Sequence, residues 1–436
     1  MPRAARARFR YPPPVNPRPS IDSARLYRCL QDLGEIGAYT DPHSGLRGVN
    51  RLALTAAEAA GRRHVVARMK AAGLSVTIDK IGNVYARRAG RDDSLAPVMI
   101  GSHIDSVATA GKFDGCLGVL GGLEVVETLD ALGRQTLRPL VVAFFTEEEG
   151  ARFGTDMLGS AVATGRIPLA AAYAIKDRAG LSVKHELDAI GFVGEQSELL
   201  APPHAYLECH VEQGPVLRAA GLDLGVVTGV QAICWHELTI LGKSAHAGTT
   251  PMSLRADAGV AAAKINLHLR ALVGSGRYGP DLRATMGLIA PHPNVVNVVP
   301  GRVTCSVDVR NPDDKILEQV EAEVIAYYSI VEREEKVSIT HRRTARTPYV
   351  QFASQVQERI AAAASARGLS HQHLVSGAGH DAQELARLCP TGMIFVPGEY
   401  DGISHNPREH STEQQCADGV NVLLDVVLSF ADEAGR

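Results

Sequence analysis

An α/β fold, with a larger mixed-sheet domain interrupted by a smaller two-layer α+β domain, is what this sequence predicts. Three observations carry it. Short apolar runs alternate with helical periodicity as far as residue 227, the pattern of strand–helix units in a mostly parallel sheet. Over 228–345 the order becomes β-α-β-β-α-β, which fits a two-layer unit with an antiparallel sheet. Over 346–436 the α/β character returns, so the larger domain has two segments, 21–227 and 346–436.

Folded structure is expected to begin near Ile21, after a basic, proline-rich arm over residues 1–20 without acidic side chains. The arm has no apolar core, so it is not a secretory signal, and it is short and weakly amphipathic for an organellar transit peptide. It reads as a disordered or surface-draped segment. Thr55-x-x-Glu58 is a capping box opening a helix that runs to about Ala72, where Gly73 stops it. Leu74–Asp79 and Val84–Arg88 read as strands joined around Gly82-Asn83, a hairpin signal. Pro97–Gly101 is a short buried strand leading to His103, and Gly115–Leu132 is an apolar, glycine-rich helix. Pro139–Thr146 is a buried strand that runs into Glu147-Glu148-Glu149, and Tyr206–His210 repeats that pattern.

In the smaller domain, Trp235–Leu241 alternates apolar and polar residues as a half-buried strand does. Ala258–Leu272 is helical, Asp281–Ile289 and Val303–Val309 are strands, Ile316–Ile330 is helical and Lys336–Arg342 is a strand. Ser354–Ala366 is a helix with Ser354-x-x-Gln357 as its capping box.

Composition excludes several functions. The 45% hydrophobic and 21% charged content is that of a globular protein with a sizeable core. A formal net charge of -3 leaves no electrostatic footprint for nucleic acid. No run approaches the ~18 apolar residues of a membrane span. Seven cysteines, an odd number without CxxC spacing, read as reduced thiols of a cytoplasmic protein. There is no GxSxG motif, since Gly242-Lys243-Ser244-Ala245 lacks the second glycine. No P-loop or dinucleotide fingerprint is present.

What remains is a scattered ligand pattern: His103-x-Asp105, Asp114, Glu147-Glu148-Glu149, His210 and His405. Each has a bland alternative. An Asp before a helix is often an N-cap, three glutamates usually mean a solvated surface, and a lone histidine usually makes a structural hydrogen bond. The glutamates, however, follow the apolar run Val141–Phe145 and precede Gly150, and His210 lies at a strand end before Gly214-Pro215. Together these imidazoles and carboxylates suit a pair of borderline metal ions with one bridging carboxylate, and point to a two-metal hydrolase. One glutamate can ligate while its neighbour acts as general base. Asp105 stands where a carboxylate could orient the His103 imidazole.

The motifs resemble those of the amidohydrolase branch of the M20 metallopeptidase clan. That branch includes N-carbamoyl-L-amino acid hydrolases, yeast-type β-ureidopropionases and allantoate amidohydrolases. The resemblance covers about residues 21–430. It rests on Gly-Ser-His-Ile-Asp (101–105), Gly-Lys-Phe-Asp-Gly (111–115), Phe-Thr-Glu-Glu-Glu-Gly-Ala-Arg-Phe (145–153) and His-Val-Glu-Gln-Gly-Pro-Val-Leu (210–217). Ser-Ala-His-Ala-Gly-Thr-Thr-Pro-Met (244–252), Asn297-Val-Val-Pro-Gly, Asp308-Val-Arg310, Gly-Ala-Gly-His-Asp-Ala (377–382) and Ser-His-Asn-Pro (404–407) complete it. Each motif alone is weak; nine in one order are specific.

The resemblance implies a di-metal catalytic domain and a smaller dimerisation, or lid, domain. It implies two divalent ions per subunit, Zn or else Mn, Co or Ni. His103 and His210 would hold one, Glu149 and His405 the other, and Asp114 would bridge them. Glu148 would be the base, with Glu147 left as a flank of no evident role. Gln213, His246, Asn297, Arg310 and His380 map to substrate-binding positions. Of these, Arg310 would clasp a substrate carboxylate and His246 would stabilise the developing oxyanion. By the same resemblance the protein is a homodimer in which His246, Asn297 and Arg310 complete the neighbouring active site. The implied reaction is hydrolysis of the ureido C–N bond of an N-carbamoyl α- or β-amino acid. The rivals are an allantoate amidohydrolase and, further off, an aminoacylase or dipeptidase of the same clan. A metal-binding protein that has lost catalysis is disfavoured, since every implied ligand and the base are present.

Overall fold

The computed structural model describes residues 18–434. Residues 1–17 of the expected arm lie outside the described residues. The chain then enters a helix not anticipated from the sequence, Ser23–Gly34, capped by Asp22, whose side chain accepts the Arg25 N–H.

A nine-stranded sheet organises the larger part of the molecule. Its four central strands, Val98–His103, Leu140–Phe145, Ala205–Val211 and Thr391–Val396, are buried at every position. That is what continuous apolar runs require when both faces are covered. Their side chains alternate between faces. Ile100, Val142 and Phe144 join the core under the helices Ser23–Gly34, Cys116–Ala131 and Glu413–Ala431, while Met99, Val141 and Phe145 join a smaller core opposite. Gly118 lets the helix Cys116–Ala131 lie against its strand, since a Cβ there would come within 2.7 Å of Ser102 Cβ.

The expectation of a mostly parallel sheet needs correction. Parallel pairing is confined to the centre and to the edge strand His371–Ser376, which runs parallel to Leu224–Val230. The strands Ser75–Ile78, Val84–Arg88, Leu224–Val230 and Val350–Gln351 add antiparallel pairings. The parallel centre still matters most, because it sends its carboxyl ends to one edge. His103 pairs with Phe145 and His210 with Phe395, so the glutamates after Phe145 emerge beside both histidines.

Strand Leu224–Val230 ends the first passage through this sheet, and Ala232–Leu241 begins a second, five-stranded antiparallel sheet. The helices Ala258–Gly274 and Asp314–Glu335 pack on it around a separate core. The expected strand Asp281–Ile289 is broken into Arg283–Thr285 and Ile289–His292. At the break the Leu288 N–H donates to the Ser306 hydroxyl at 3.0 Å instead of to a ladder carbonyl. The chain re-enters the large sheet at Val350–Gln351.

The two capping expectations fare differently. Thr55 caps its helix by accepting the Glu58 N–H, although Glu58 returns its bond to the Leu54 N–H. Ser354 is already helical, and Ala353 is the cap without a side-chain bond. Gln357 instead donates to the Phe352 and Thr228 carbonyls, tying the helix start to the sheet.

Arg51 is fully buried behind the edge that carries His103. Its Nε donates to the Ile104 carbonyl at 2.6 Å, and its Nη1 to the Leu33 and Ile36 carbonyls at 2.9 Å. It thereby joins the end of the first helix to the loop after His103. Arg51→Met keeps the volume but orphans these acceptors, so a loss of about 3 kcal/mol is expected. Urea denaturation checks this, and an unchanged midpoint contradicts it.

Candidate metal centre

The carboxyl edge of the central strands gathers five of the predicted residues. Asp114 Oδ1 lies 3.6 Å from His103 Nε2 and 3.2 Å from His210 Nε2. Asp114 Oδ2 lies 3.4 Å from His405 Nε2, which in turn is 3.2 Å from Glu149 Oε2. Two donor sets result, His103–Asp114–His210 and Asp114–Glu149–His405, each with its ligand atoms within 4.8 Å of one another. Asp114 belongs to both.

The ring tautomers fit cations. His103 Nδ1 donates to the Asp105 carbonyl at 3.0 Å and His210 Nδ1 to the Val211 carbonyl at 2.8 Å. The Gly115 N–H donates to His210 Nε2 at 3.0 Å, so that nitrogen carries a lone pair. Three Nε2 atoms thus converge on the Asp114 carboxylate, and positive charge, on the rings or on a cation among them, is what holds it ionised. Burial works against charge on His405, but Asp114 and Glu149 outweigh it and push its pKa up to about 11. Burial likewise opposes ionisation of Asp114, yet the three imidazoles hold it well below the usual carboxylate range. Mixed imidazole and carboxylate donors of this kind suit Zn, Mn, Co or Ni.

The three glutamates divide their tasks by direction. Glu149 faces His405. Glu148 Oε2 lies 3.5 Å from His103 Nε2, and burial holds its pKa well above the ordinary carboxylate value. A carboxylate poised in this way can take up and return a proton. Glu147, left without a role by the sequence, turns away: its Oε1 accepts the N–H groups of Arg152 at 3.2 Å and Phe153 at 2.8 Å. It braces the turn that follows. Asp105 meets His103 through two groups: its main-chain carbonyl accepts the Nδ1–H at 3.0 Å, and its carboxylate Oδ1 lies 3.7 Å from the same nitrogen while the carboxylate accepts the Glu148 and Glu149 N–H groups at 3.4 Å.

Sequence reasoning passed over Glu409. Its Oε1 accepts the N–H groups of Phe113 at 3.0 Å and Asp114 at 3.1 Å, and its Oε2 accepts the Ser404 hydroxyl at 2.5 Å. It thus clamps the Asp114 loop to the His405 loop. Glu208 was also passed over. It lies beneath His210, accepting from Ser102 Oγ at 2.7 Å and from the Ala382 N–H at 3.0 Å. A buried acid near a candidate ligand was the only available signal. Positive φ angles at Glu147, Met157, Gln213 and His405 concentrate strain here as well.

A cleft open to solvent rises from these residues. Gln213 lines it and donates to Asp114 Oδ2 at 2.8 Å. His380 lines it with its ring 4.5 Å from that of His210, and burial keeps it neutral. Arg310 requires a correction, since it lines the cleft of its own chain. The last residues of strand Arg302–Asn311 abut the loop at Gly377, where Arg310 Nη1 donates at 2.9 Å. Its Nε and Nη2 hold Asp308 at 2.9 and 2.7 Å. Within one chain, His246 and Asn297 are not among the cleft residues. Both are exposed, and the Asn297 carbonyl accepts the Ala247 N–H at 2.9 Å.

Comparison with known proteins agrees with this geometry. Residues 99–429 match peptidase family M20/M25/M40. An N-carbamoyl-L-amino-acid amidohydrolase of Rhizobium meliloti is 40% identical over 94% of this chain and 97% of its own. An allantoate amidohydrolase of Bacillus subtilis (strain 168) is 33% identical over 92% of this chain and 96% of its own. The crystal structure of a hydantoinase/carbamoylase family amidase from Burkholderia vietnamiensis superposes with a TM-score of 0.91 at 41% identity, covering 95% of this chain and 98% of that one.

Gly115 holds a left-handed φ of 65°, and a Cβ there would lie 2.5 Å from the His103 ring. Gly115→Ala is therefore expected to lower affinity for Zn²⁺ about tenfold or more while the helical signal persists. Chelator competition and circular dichroism measure the two. Wild-type Zn²⁺ affinity contradicts the assignment.

Proposed function

The chain belongs to peptidase family M20/M25/M40, and on that premise we propose that it hydrolyses the carbamoyl C–N bond of N-carbamoyl-L-amino acids. One observation carries the proposal: Asp114 joins two donor sets beside Glu148 in a cleft that also holds a guanidinium, Arg310. The Rhizobium meliloti relative, named for that activity, supports it. The second reading, allantoate hydrolysis, is favoured by the Bacillus subtilis relative. Both substrates carry a carboxylate next to a ureido group.

We place one divalent cation among His103, Asp114 and His210 and another among Asp114, Glu149 and His405. Such cations polarise a carbonyl and acidify water. The residues do the rest. Glu148 accepts the proton of the attacking water and delivers it to the leaving amine nitrogen. The C–N bond breaks, the amino acid departs, and the carbamic acid left behind decomposes to ammonia and carbon dioxide. Arg310 orients the substrate carboxylate. Asp308 and Gly377 occupy three of its five N–H bonds and two remain for the ligand. Neutral His380 and Gln213 line the approach.

We divide the chain into a catalytic unit of two segments, 21–227 and 346–436, and a smaller lid over 228–345. We assign it a homodimeric state in which His246 and Asn297 reach the partner's cleft. Both belong to an exposed region with Met252, Leu254 and Val296, which are 74%, 70% and 100% exposed. Cytoplasmic residence fits the seven cysteines, all of them free. No described helix is long and apolar enough to cross a membrane.

Ammonia release by metal-reconstituted protein tests the reading. N-carbamoyl-L-amino acids, N-carbamoyl-β-alanine, allantoate and a dipeptide are offered in parallel. Release from carbamoyl amino acids is expected. Release from allantoate alone selects the second reading, and cleavage of the dipeptide alone, read as free amino acid rather than ammonia, rejects both. Glu148→Gln is expected to lower kcat by a factor of about 10²–10⁴ with metal content unchanged; wild-type turnover removes Glu148 as the base.

A further inference from the structure

The smaller unit holds a second group of metal-ligating side chains, apart from the candidate metal centre. Cys234 and His236 are two residues apart on strand Ala232–Leu241, so they share a face. Helix Asp314–Glu335 packs on that face and supplies Glu321. All three residues are buried, and their ligand atoms lie within 4.8 Å of one another. His236 Nε2 is 3.6 Å from Cys234 Sγ and 2.9 Å from Glu321 Oε1. The Tyr328 hydroxyl, 3.4 Å from His236 Nδ1, orients the ring, as a partner on the other nitrogen does for a metal-bound imidazole. Burial lowers the pKa of His236 and so keeps the ring neutral. Glu321 also accepts Arg343 Nε at 2.8 Å. Arg343 belongs to the edge strand Ser338–Thr347, and its side chain is 53% exposed, so it can turn out into water.

We propose that Cys234, His236 and Glu321 bind a thiophilic divalent cation, of the class of Zn²⁺ and Cd²⁺, with Arg343 releasing Glu321 to it. A tetrahedral ion with sulfur at about 2.3 Å and nitrogen at about 2.0 Å holds those two atoms about 3.5 Å apart, against 3.6 Å here. The same ion sets nitrogen and carboxylate oxygen about 3.3 Å apart, so the 2.9 Å hydrogen bond between His236 and Glu321 opens by a few tenths of an ångström. Charge balances as well. The sulfur–metal bond forms as the Cys234 thiol gives its proton to solvent, and the thiolate and the Glu321 carboxylate then offset the two positive charges. Water, or the exposed His341 whose ring centroid lies 5.5 Å from that of His236, fills the fourth position. The ion ties sheet to helix on one face of a strand whose other face carries Ile233 and Trp235 into the cleft. No cysteine belongs to either donor set around Asp114, so the proposal is independent of the hydrolase reading.

The test uses the full-length protein, stripped of metal and titrated with Cd²⁺ while ultraviolet absorption is followed. Only a thiolate ligand gives a sulfur-to-metal charge-transfer band, so imidazole and carboxylate sites are silent. Such a band is expected, and Cys234→Ser should abolish it and take up less Cd²⁺ per chain, with the helical circular dichroism signal unchanged. Arg343→Ala changes an exposed side chain and guards against misfolding of the first variant. It removes the competitor for Glu321 and should tighten the binding that gives the band about fivefold. Absence of a band in the wild type overturns the proposal. So does a band of wild-type strength in Cys234→Ser, which assigns it to another cysteine. Equal or weaker binding in Arg343→Ala overturns it too, because Glu321 is then no ligand. The readout is binding, so each outcome holds whether or not a carbamoyl compound is hydrolysed.

Discussion

Asp114 is the constraint on which the site depends. One carboxylate must face His103 and His210 with one oxygen and His405 with the other. These residues come from two central strands, one helix entry and one late loop, so their agreement demands a rigid frame. The parallel centre of the large sheet supplies most of it, by register alone. Gly115 supplies the rest, because only a residue without a Cβ leaves room for the His103 ring.

That arrangement concentrates negative charge. Asp105, Asp114, Glu147, Glu148 and Glu409 are all buried, and none of them pairs with a lysine or arginine among the described residues. Burying carboxylates without compensation is costly. Part of the charge is met by backbone N–H groups: Glu147, Asp105 and Glu409 each accept two. What those amides leave unmet falls on Asp114 and Glu148, where cation chemistry is useful. The anchoring acids and the reactive acids are thus the same residue type, separated only by whether a backbone amide faces them.

The smaller sheet takes part in the cleft and does not merely sit beside it. Ile233, Trp235 and Arg310 come from its strands, Asp156 and Met157 from the loop after the glutamates, and His380 from the returning segment. The guanidinium is held by Asp308 from its own strand and by Gly377 from the larger unit. It therefore spans the junction between the two cores, and relative movement of the two units would change the distance between clamp and base.

Much of this was legible in the sequence for a local reason. Continuous apolar runs ending in His103, Glu147 and His210 announce buried strands whose ends carry polar chemistry, and the change of periodicity near residue 227 announces a second sheet. The residue types themselves limited the chemistry to metal-assisted hydrolysis. Tertiary structure decided whatever depends on direction. It sent Glu147 to its own turn and the Asp105 carboxylate to the glutamate amides, and it brought Arg310 into its own chain's cleft. It also revealed Glu409, which sits beside Asp114 although 295 residues separate them. A sequence reports what a side chain can donate or accept, whereas the partner it meets is set by sheet register and loop path over hundreds of residues.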